Sequence, residues 1–319
     1  MFKLNQAVIS TTLVSVTVLA GVLSGCQQEQ TAIEDLVPET TYPLTITDQL
    51  GRVVTIKSEP QRIISLAPSN TEIIYSLRLQ ERLVGVTTYC NYPEAALDKP
   101  KVGGFSTVDA ELITNAQPDV IFAANIHSGK AIPQLESMGL IVVAISPDDI
   151  YEVIQAIELV GKVSNVNHVA QPLVKGFNER IDAVTSKTTT LRQEQRTRTF
   201  YIVWHDPLQS IGSTSFIHSL IEAAGGSNIA GDIEEKYPKL SLETVIGKNP
   251  QAIIAQIGMG TGEDGPLIYA QTEPLLAQTD ARQSGTIFGV ISDEVGRPGP
   301  RIVDALEELA KRLHPDLFK

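Results

Sequence analysis

Short apolar runs and stretches with helical spacing alternate through the first part of the chain. The predicted strands are residues 63–66, 83–87, 120–123 and 141–145, and the predicted helices between them are residues 71–79, 109–116 and 132–138. Before them, β-prone residues 44–47 and 53–57 flank a turn that contains Gly51, which predicts a β-hairpin. Strands that alternate with helices in this way are typical of a parallel α/β sheet. Residues 44–148 are therefore predicted to form an N-terminal α/β lobe.

The pattern changes between residues 149 and 192, where no strand-like run occurs. Apolar residues in this stretch repeat at helical spacing, as seen at Val153, Ile154, Ile157 and Val160 and again at Val174, Phe177 and Ile181. We expect a helix of about four turns followed by a longer one. A long helix between two lobes is a stiff bridge and not a flexible hinge.

The α/β pattern returns after Arg198. The predicted strands are residues 199–203, 252–255 and 286–290, and the predicted helices are residues 215–224, 242–247 and 302–313. Residues 193–319 are predicted to form a C-terminal α/β lobe. The predicted fold class is thus α/β, with two lobes joined by a long rigid helix.

The first 25 residues have the layout of a signal peptide. Lys3 supplies a positive start, residues 7–23 are mainly apolar, and no acidic residue occurs before Glu29. An uncleaved transmembrane anchor is the rival interpretation, but the stretch is short and lightly polar for a span of ~20 residues. We therefore expect cleavage.

The segment ends in Leu23-Ser24-Gly25-Cys26, which resembles the lipobox of bacterial lipoproteins. In those proteins the signal peptidase cuts before the cysteine, and the cysteine sulfur is diacylated. The following polar residues carry no helical or strand pattern, and we expect residues 26–43 to be a tether. This pattern predicts a protein anchored through lipid on Cys26 at the outer face of the cytoplasmic membrane.

Composition and motifs argue against several classes of function. The formal net charge is −12 and no basic run occurs, so a nucleic-acid partner is not expected. None of the five histidines pair at zinc-ligand spacing. There is no Gly-x-Ser-x-Gly motif, and residues 258–265 are glycine-rich without a helix predicted to begin on the last glycine. We expect no catalytic residue, no metal site and no cofactor, and we interpret residues 258–265 as a mobile surface loop.

A short sequence pattern occurs once in each predicted lobe. Glu111 and Glu243 are each followed seven residues later by proline and then by an apolar strand. Each glutamate also has an N-cap type of residue two positions before it, Asp109 or Ser241, which places it in the first turn of a helix. Acidic residues stabilise helix N-termini by about 0.3–1 kcal/mol, which is the plainer interpretation. The repeat also indicates that the two lobes are pseudo-equivalent.

Glu72 has a local interpretation as well. Residues 69–72 read Ser-Asn-Thr-Glu, which is the pattern of a capping box at the start of a helix.

Aromatic residues are few, yet several fall in predicted loops after strands: Tyr89, Tyr92, Phe105, Trp204 and Tyr237. Such residues suit a flat, partly apolar ligand, although packing of the loops onto the lobes is the alternative. His127 and His205 also follow strands, where loops at a sheet edge build pockets.

Four segments of the chain resemble the cobalamin- and iron-siderophore-type periplasmic binding proteins. These are Arg62-Ile-Ile-Ser-Leu-Ala-Pro68-Ser-Asn-Thr-Glu72, Gly85-Val-Thr-Thr-Tyr89-Cys-Asn-Tyr92-Pro93, Lys101-Val-Gly-Gly-Phe105 and Ser292-Asp293-Glu-Val-Gly-Arg297-Pro-Gly-Pro-Arg301. The last three are similar to the cobalamin branch, and the resemblance covers residues 44–317. It implies a monomer with two Rossmann-like lobes joined by one rigid helix. The lobes are expected to hold a ligand between them and to deliver it to an ABC permease dimer with its ATPase subunits.

The resemblance also implies roles for individual residues. Glu111 and Glu243 match the acidic residues that dock onto permease arginines. Tyr89, Phe105, Tyr237, Asp293 and Arg297 match positions that face cobalamin, with Phe105 and Tyr237 standing where a tryptophan is expected. Trp204 and His205 have no clear counterpart and are added as candidate ligand contacts, with His205 as a residue that could approach cobalt. The implied ligand is a corrinoid, and an iron-siderophore or haem is the alternative.

Overall fold

The computed structural model describes residues 38–258 and 264–319. The predicted signal peptide, Cys26 and most of the predicted tether lie outside the described residues. Residues from Val37 onward form one compact unit. The domain bounds expected from the sequence remain predictions.

The N-terminal lobe contains a four-stranded parallel sheet with strand order β4-β3-β5-β6. Its elements are β1 (Leu44–Thr47), β2 (Val53–Ile56), β3 (Ile63–Ser65), α1 (Pro68–Ser76), β4 (Leu83–Val86), α2 (Ala110–Asn115), β5 (Val120–Ala123), α3 (Ala131–Ser137) and β6 (Val142–Ala144). Strands β1 and β2 form the predicted hairpin, paired from Leu44 with Ile56 to Thr47 with Val53.

The turn of this hairpin covers the edge strand β6. The Asp48 carboxylate is buried and accepts hydrogen bonds from the Ala144 amide at 3.0 Å and from the Arg52 guanidinium at 2.6 Å. Arg52 in turn donates to the carbonyl of Val142 at 2.9 Å. An uncovered edge strand offers unpaired backbone groups to other chains, and this turn satisfies them internally.

Two helices follow the N-terminal lobe: α4 (Ile150–Val163) and α5 (Asn167–Thr188). The Asp149 carboxylate caps α4 by accepting from the Glu152 amide. Helix α5 has 22 residues and is therefore about 33 Å long at ~1.5 Å per residue. The long helix and the shorter helix before it occur as the hydrophobic spacing predicts.

The C-terminal lobe repeats the architecture of the first. Its elements are β7 (Thr197–Ile202), β8 (Trp204–His205), β9 (Leu208–Gln209), α6 (Phe216–Ala223), β10 (Gly226–Asn228), α7 (Leu242–Lys248), β11 (Ala252–Ile257), α8 (Gly265–Thr272), α9 (Asp280–Ser284), β12 (Ile287–Ile291), α10 (Ser292–Val295) and α11 (Ile302–Leu313). The parallel sheet has the order β10-β7-β11-β12. In both lobes the order along the sheet is second, first, third and fourth strand, so the lobes are pseudo-equivalent in topology.

The glycine-rich segment after β11 differs from the prediction, because helix α8 begins on Gly265. The expectation that no helix begins there was wrong. Helix α8 packs against β8, β11 and β12, but its apolar residues are not confined to the packed side, since Ile268 is 41% exposed. The helix therefore lacks the one-sided apolar spacing by which an amphipathic helix is recognised. Pro266 in its first turn is the local signal that indicated a helix start. Strands β8, β9 and β10 were not predicted either, because two or three residues are too few to show a repeating apolar pattern.

One hydrophobic core runs through both lobes and the bridging helices. It includes Phe122 from the first sheet, Val160 and Ile181 from α4 and α5, and Tyr201 and Ile254 from the second sheet. Helix α5 packs along α4 on one side and against α11 on the other. Each lobe also has a smaller core on the other face of its sheet. Among the described residues, none of the helices combines the length and apolarity needed to cross a bilayer.

Because the core is continuous, we expect the two lobes to unfold together in a single transition. Trp204 is the sole tryptophan, so its fluorescence reports on the C-terminal lobe, whereas far-UV circular dichroism reports on the whole chain. The two thermal curves should have the same midpoint. Two separate calorimetric transitions would show that the lobes are independent units.

Candidate ligand cleft between the lobes

Two adjoining cavities of about 320 and 220 Å³ lie between the lobes. Both are lined by Ser69 and Phe105 from the first lobe and by Gly296 and Pro298 from the second. In the N-terminal lobe the lining follows the carboxyl ends of β3, β5 and β6, which is where open α/β sheets bind ligands. We take these two cavities together as the cleft.

A larger cavity of about 400 Å³ lies within the C-terminal lobe between β12 and α11. Its charged lining includes Glu308 and Arg312, which are 2.5 Å apart and neutralise each other. Residues of one lobe alone build it, and none of the predicted ligand contacts line it. The cleft is therefore the better candidate for a ligand site.

Three of the predicted aromatic residues meet at the cleft. Phe105 lines both cavities, Tyr89 lines the smaller one and Tyr237 lines the larger one. Tyr89 and Tyr237 keep 61% and 47% of their surface exposed, so both rings are available to a ligand. Phe105 and Tyr89 come from the N-terminal lobe and Tyr237 comes from the C-terminal lobe. A flat apolar ligand between the lobes would therefore meet aromatic surface from both.

His127 lies behind Phe105. Its imidazole is buried, with Nε2 2.7 Å from the Phe105 carbonyl and Nδ1 2.9 Å from the Ala124 amide nitrogen. A neutral ring that carries its proton on Nε2 satisfies both contacts. Burial lowers the pKa of His127, which favours this neutral form. The imidazole also meets the Phe105 ring edge-on at 5.7 Å, and it therefore supports the cleft wall.

Trp204 and His205 lie on the β8–β9 hairpin, and neither lines the two cavities. The Trp204 indole donates to the Asp206 carbonyl at 2.8 Å. The His205 ring is 5.0 Å from the Trp204 ring and 6.0 Å from the Tyr269 ring. A Cβ atom on Gly265 would come within 2.6 Å of the His205 ring, so the start of α8 packs closely on this histidine. The structure does not bring these two residues together with Phe105.

Asp293 and Arg297 join the two lobes at one end of the cleft. They form an ion pair at 2.6 Å, and both contact Asn91 of the N-terminal lobe. The Arg297 guanidinium donates to the Asn91 side-chain oxygen at 2.6 Å, and the Asn91 amide donates to Asp293 at 3.2 Å. Arg297 also lines the smaller cavity, so its position is compatible with ligand contact.

Glu72 forms the second contact between the lobes. Its carboxylate is buried and accepts two hydrogen bonds from Arg301, from Nε at 2.9 Å and from Nη2 at 2.8 Å. Arg297 lies 3.6 Å from the same carboxylate. The Arg301 guanidinium also stacks over the Tyr92 ring at 4.2 Å.

The capping-box interpretation of Glu72 is therefore wrong. Helix α1 begins at Pro68 after Ala67, and no side chain caps it. Ser69 thus lies inside the first turn, where it cannot act as the N-cap. The carboxylate of Glu72 is free to cross to the other lobe.

Glu111 and Glu243 occupy matching places in the two lobes. Each is the second residue of the helix that precedes the third strand of its sheet, in α2 and α7. Asp109 and Ser241 cap these helices through their side chains, as their residue types predict. Both glutamates are exposed, and neither forms an ion pair with a described residue.

The described residues contain no group of three histidine, cysteine, aspartate or glutamate side chains that could hold a metal ion.

Comparison with known proteins agrees with this geometry. The model of a family described as periplasmic binding protein matches residues 63–293. The chain belongs to this family.

Two named relatives and one crystal structure are similar to this chain over most of its length. The Bacillus subtilis ABC transporter substrate-binding lipoprotein YvrC is 30% identical over 94% of this chain and 95% of its own length. A vitamin B12-binding protein of Vibrio cholerae is 29% identical over 79% of this chain and 89% of its own length. The crystal structure of the periplasmic vitamin B12 binding protein BtuF of Vibrio cholerae superposes with a TM-score of 0.69 at 28% identity. That superposition covers 81% of this chain and 98% of BtuF.

We expect Glu72→Gln to lower the free energy of unfolding by about 3 kcal/mol, because it removes the buried carboxylate that accepts two hydrogen bonds from the Arg301 guanidinium. The half-exposed Glu294, 3.6 Å from Arg301, then remains as its ion-pair partner among the described residues. Urea unfolding monitored by circular dichroism measures the change. Glu308→Gln is the matched control, since its partner Arg312 is exposed, and it should cost less than about 1 kcal/mol. Equal effects of the two substitutions would contradict a stabilising role for the contact between the lobes.

Proposed function

We propose that this chain is the extracytoplasmic solute-binding component of an ABC importer, and that it captures a corrinoid between its lobes for delivery to the permease. The observation that carries the proposal is the cleft lined by Phe105, Tyr89 and Tyr237. The role proposed for the chain is to bind the ligand and transfer it to the permease, without a catalytic step. The similarity to an ABC transporter substrate-binding lipoprotein and to a vitamin B12-binding protein supports it.

The cleft suits a corrinoid for two physical reasons. A corrin is a broad, flat ring with apolar faces, and aromatic side chains bury such faces at low conformational cost. Its rim carries amide groups, which need hydrogen-bond partners when they leave water. Asn125, Ser146 and Thr214 line the larger cavity together with Tyr237 and supply such partners.

Membrane attachment is part of the proposal. We propose that lipid on Cys26 holds the protein at the outer face of the cytoplasmic membrane and that the tether lets the lobes reach the permease. The lipobox motif supports this, as does the word lipoprotein in the name of the Bacillus subtilis relative. Stable anchoring needs more than one acyl chain, which a diacylated cysteine provides.

Binding of cyanocobalamin to purified residues 27–319 tests the ligand. We expect heat of binding in isothermal titration calorimetry, and we expect Phe105→Ala to weaken binding by roughly 10-fold or more through loss of buried aromatic surface. Tyr151→Ala is the matched control, because Tyr151 is 49% exposed on α4 and lines neither cavity. Haemin and a ferric siderophore are titrated in parallel. Binding of either one without binding of cyanocobalamin would replace the corrinoid by the alternative ligand.

The paired glutamates support the proposed delivery step. Glu111 and Glu243 hold matching positions in two lobes of the same topology, and both carboxylates are exposed. A permease dimer presents the same surface twice. A binding protein with one acidic residue on each lobe could therefore contact both permease subunits in the same way. We propose that these two residues dock onto permease arginines.

We expect Glu111→Ala combined with Glu243→Ala to leave the affinity for cyanocobalamin unchanged within about twofold, since neither residue lines the cleft. Ligand uptake into vesicles that contain the cognate permease should fall at least about tenfold, because both charged contacts are lost. Glu158→Ala with Glu179→Ala removes the same charge from exposed positions on α4 and α5 and serves as the control. Normal uptake by the first double variant would remove the docking assignment.

A further inference from the structure

The lining of the cleft contains charged side chains that form no ion pair with any described residue. Two cationic side chains line it, Arg297 in the smaller cavity and Lys236 in the larger one. Arg297 is neutralised by Asp293 at 2.6 Å and lies close to Glu72. Lys236 forms no ion pair with any described residue, and its nearest recorded partner is the ring of Tyr237, with Nζ 5.8 Å from the ring centroid. Among the described residues, the cleft therefore offers one unpaired cation, Lys236, and one unpaired carboxylate, Asp148, on the other lobe.

The surroundings of Lys236 on the same wall favour an anionic group. Thr214 and Ser215 line the larger cavity at the start of α6, which has eight residues and presents the positive end of its dipole there. The Ser215 hydroxyl accepts from the Ile217 amide and so stays close to the helix end. Asp148 of the N-terminal lobe lines the same cavity, but it makes no ion pair with Lys236.

These observations limit the charge of the ligand. A ligand with two or three carboxylates, such as a haem or a carboxylate-type siderophore, would leave at least one carboxylate without a cationic partner, which is costly in a partly desolvated cleft. A ligand with one anionic group and amides elsewhere fits one free lysine on one wall and Asp148 on the other. Complete corrinoids have this composition, because the nucleotide loop contains a single phosphodiester and the corrin rim carries amides.

We infer that Lys236 binds the phosphodiester of the nucleotide loop while Phe105 and Tyr237 contact the corrin, so that Lys236 determines the preference for a complete corrinoid over one without the loop. The inference rests on the proposed function. The phosphate oxygen accepts a charge-assisted hydrogen bond from Nζ, and no covalent step is involved. Lys236 is then a specificity-determining residue and not a determinant of the fold, since its side chain is exposed.

The test compares two ligands across matched variants. Cyanocobalamin carries the nucleotide loop, and dicyanocobinamide lacks it. Lys236→Met keeps the length of the side chain and removes its charge, whereas Lys236→Arg keeps the charge. Lys239→Met is the control, because Lys239 is also exposed but lines neither cavity. Dissociation constants are measured by calorimetry on residues 27–319 at low and high sodium chloride concentration.

We expect Lys236→Met to weaken cyanocobalamin binding by about five- to tenfold and dicyanocobinamide binding by less than about twofold. Lys236→Arg and Lys239→Met should behave like the parent chain. Salt should weaken cyanocobalamin binding to the parent chain and have less effect on Lys236→Met, because screening acts on the charge that the variant has lost.

Each contrary outcome has a distinct meaning. If the parent chain binds both corrinoids and Lys236→Met changes their affinities equally or not at all, the assignment of Lys236 is wrong and the proposed function stands. If the parent chain binds neither corrinoid, the proposed function itself is wrong.

Discussion

The buried carboxylate of Glu72 and the guanidinium of Arg301 form the contact on which the arrangement of the two lobes depends. Glu72 lies in the middle of α1 in one lobe, and Arg301 directly precedes α11 in the other. Separation of the lobes at this end of the cleft would break both hydrogen bonds between the two side chains. The continuous core along α4 and α5 acts in the same direction, because it packs both lobes on the same two helices. We therefore expect the width of the cleft to change little when a ligand binds.

This contact also affects which polar groups of the cleft are available to a ligand. Arg297, Asp293 and Asn91 satisfy one another across the lobes next to Glu72, so their polar groups are largely occupied before any ligand arrives. What remains available is aromatic surface on both walls, neutral hydrogen-bonding groups and the amine of Lys236. Such a surface favours a large, nearly neutral ligand over a polyanion. The proposed corrinoid ligand follows from this balance more than from the volume of the cleft.

Elements whose signal is local could be predicted from the sequence. The β1–β2 hairpin, helix α11 and strand β5 have the bounds or nearly the bounds that their apolar spacing indicates. Helix α8 could not be predicted in this way, because its apolar residues do not all lie on the packed side, as the exposed Ile268 shows. Glu72 was assigned to a capping box because the sequence Ser-Asn-Thr-Glu of residues 69–72 fits that local pattern. The support of Phe105 by His127 had no sequence signal, since a histidine after a strand has many possible partners.

The sequence by itself determined the alternation of strands and helices, the long bridge and the repeated position of Glu111 and Glu243. These properties depend on backbone hydrogen bonding and on burial within a few turns, which neighbouring residues encode directly. Only the tertiary structure decided that Glu72 pairs with Arg301, that Lys236 has no counter-ion among the described residues and that Trp204 lies away from the two cavities. Glu72 and Arg301 are 229 positions apart, and their pairing depends on how the two sheets pack on the shared helices. Local patterns carry no information about which distant charges will meet in a buried site.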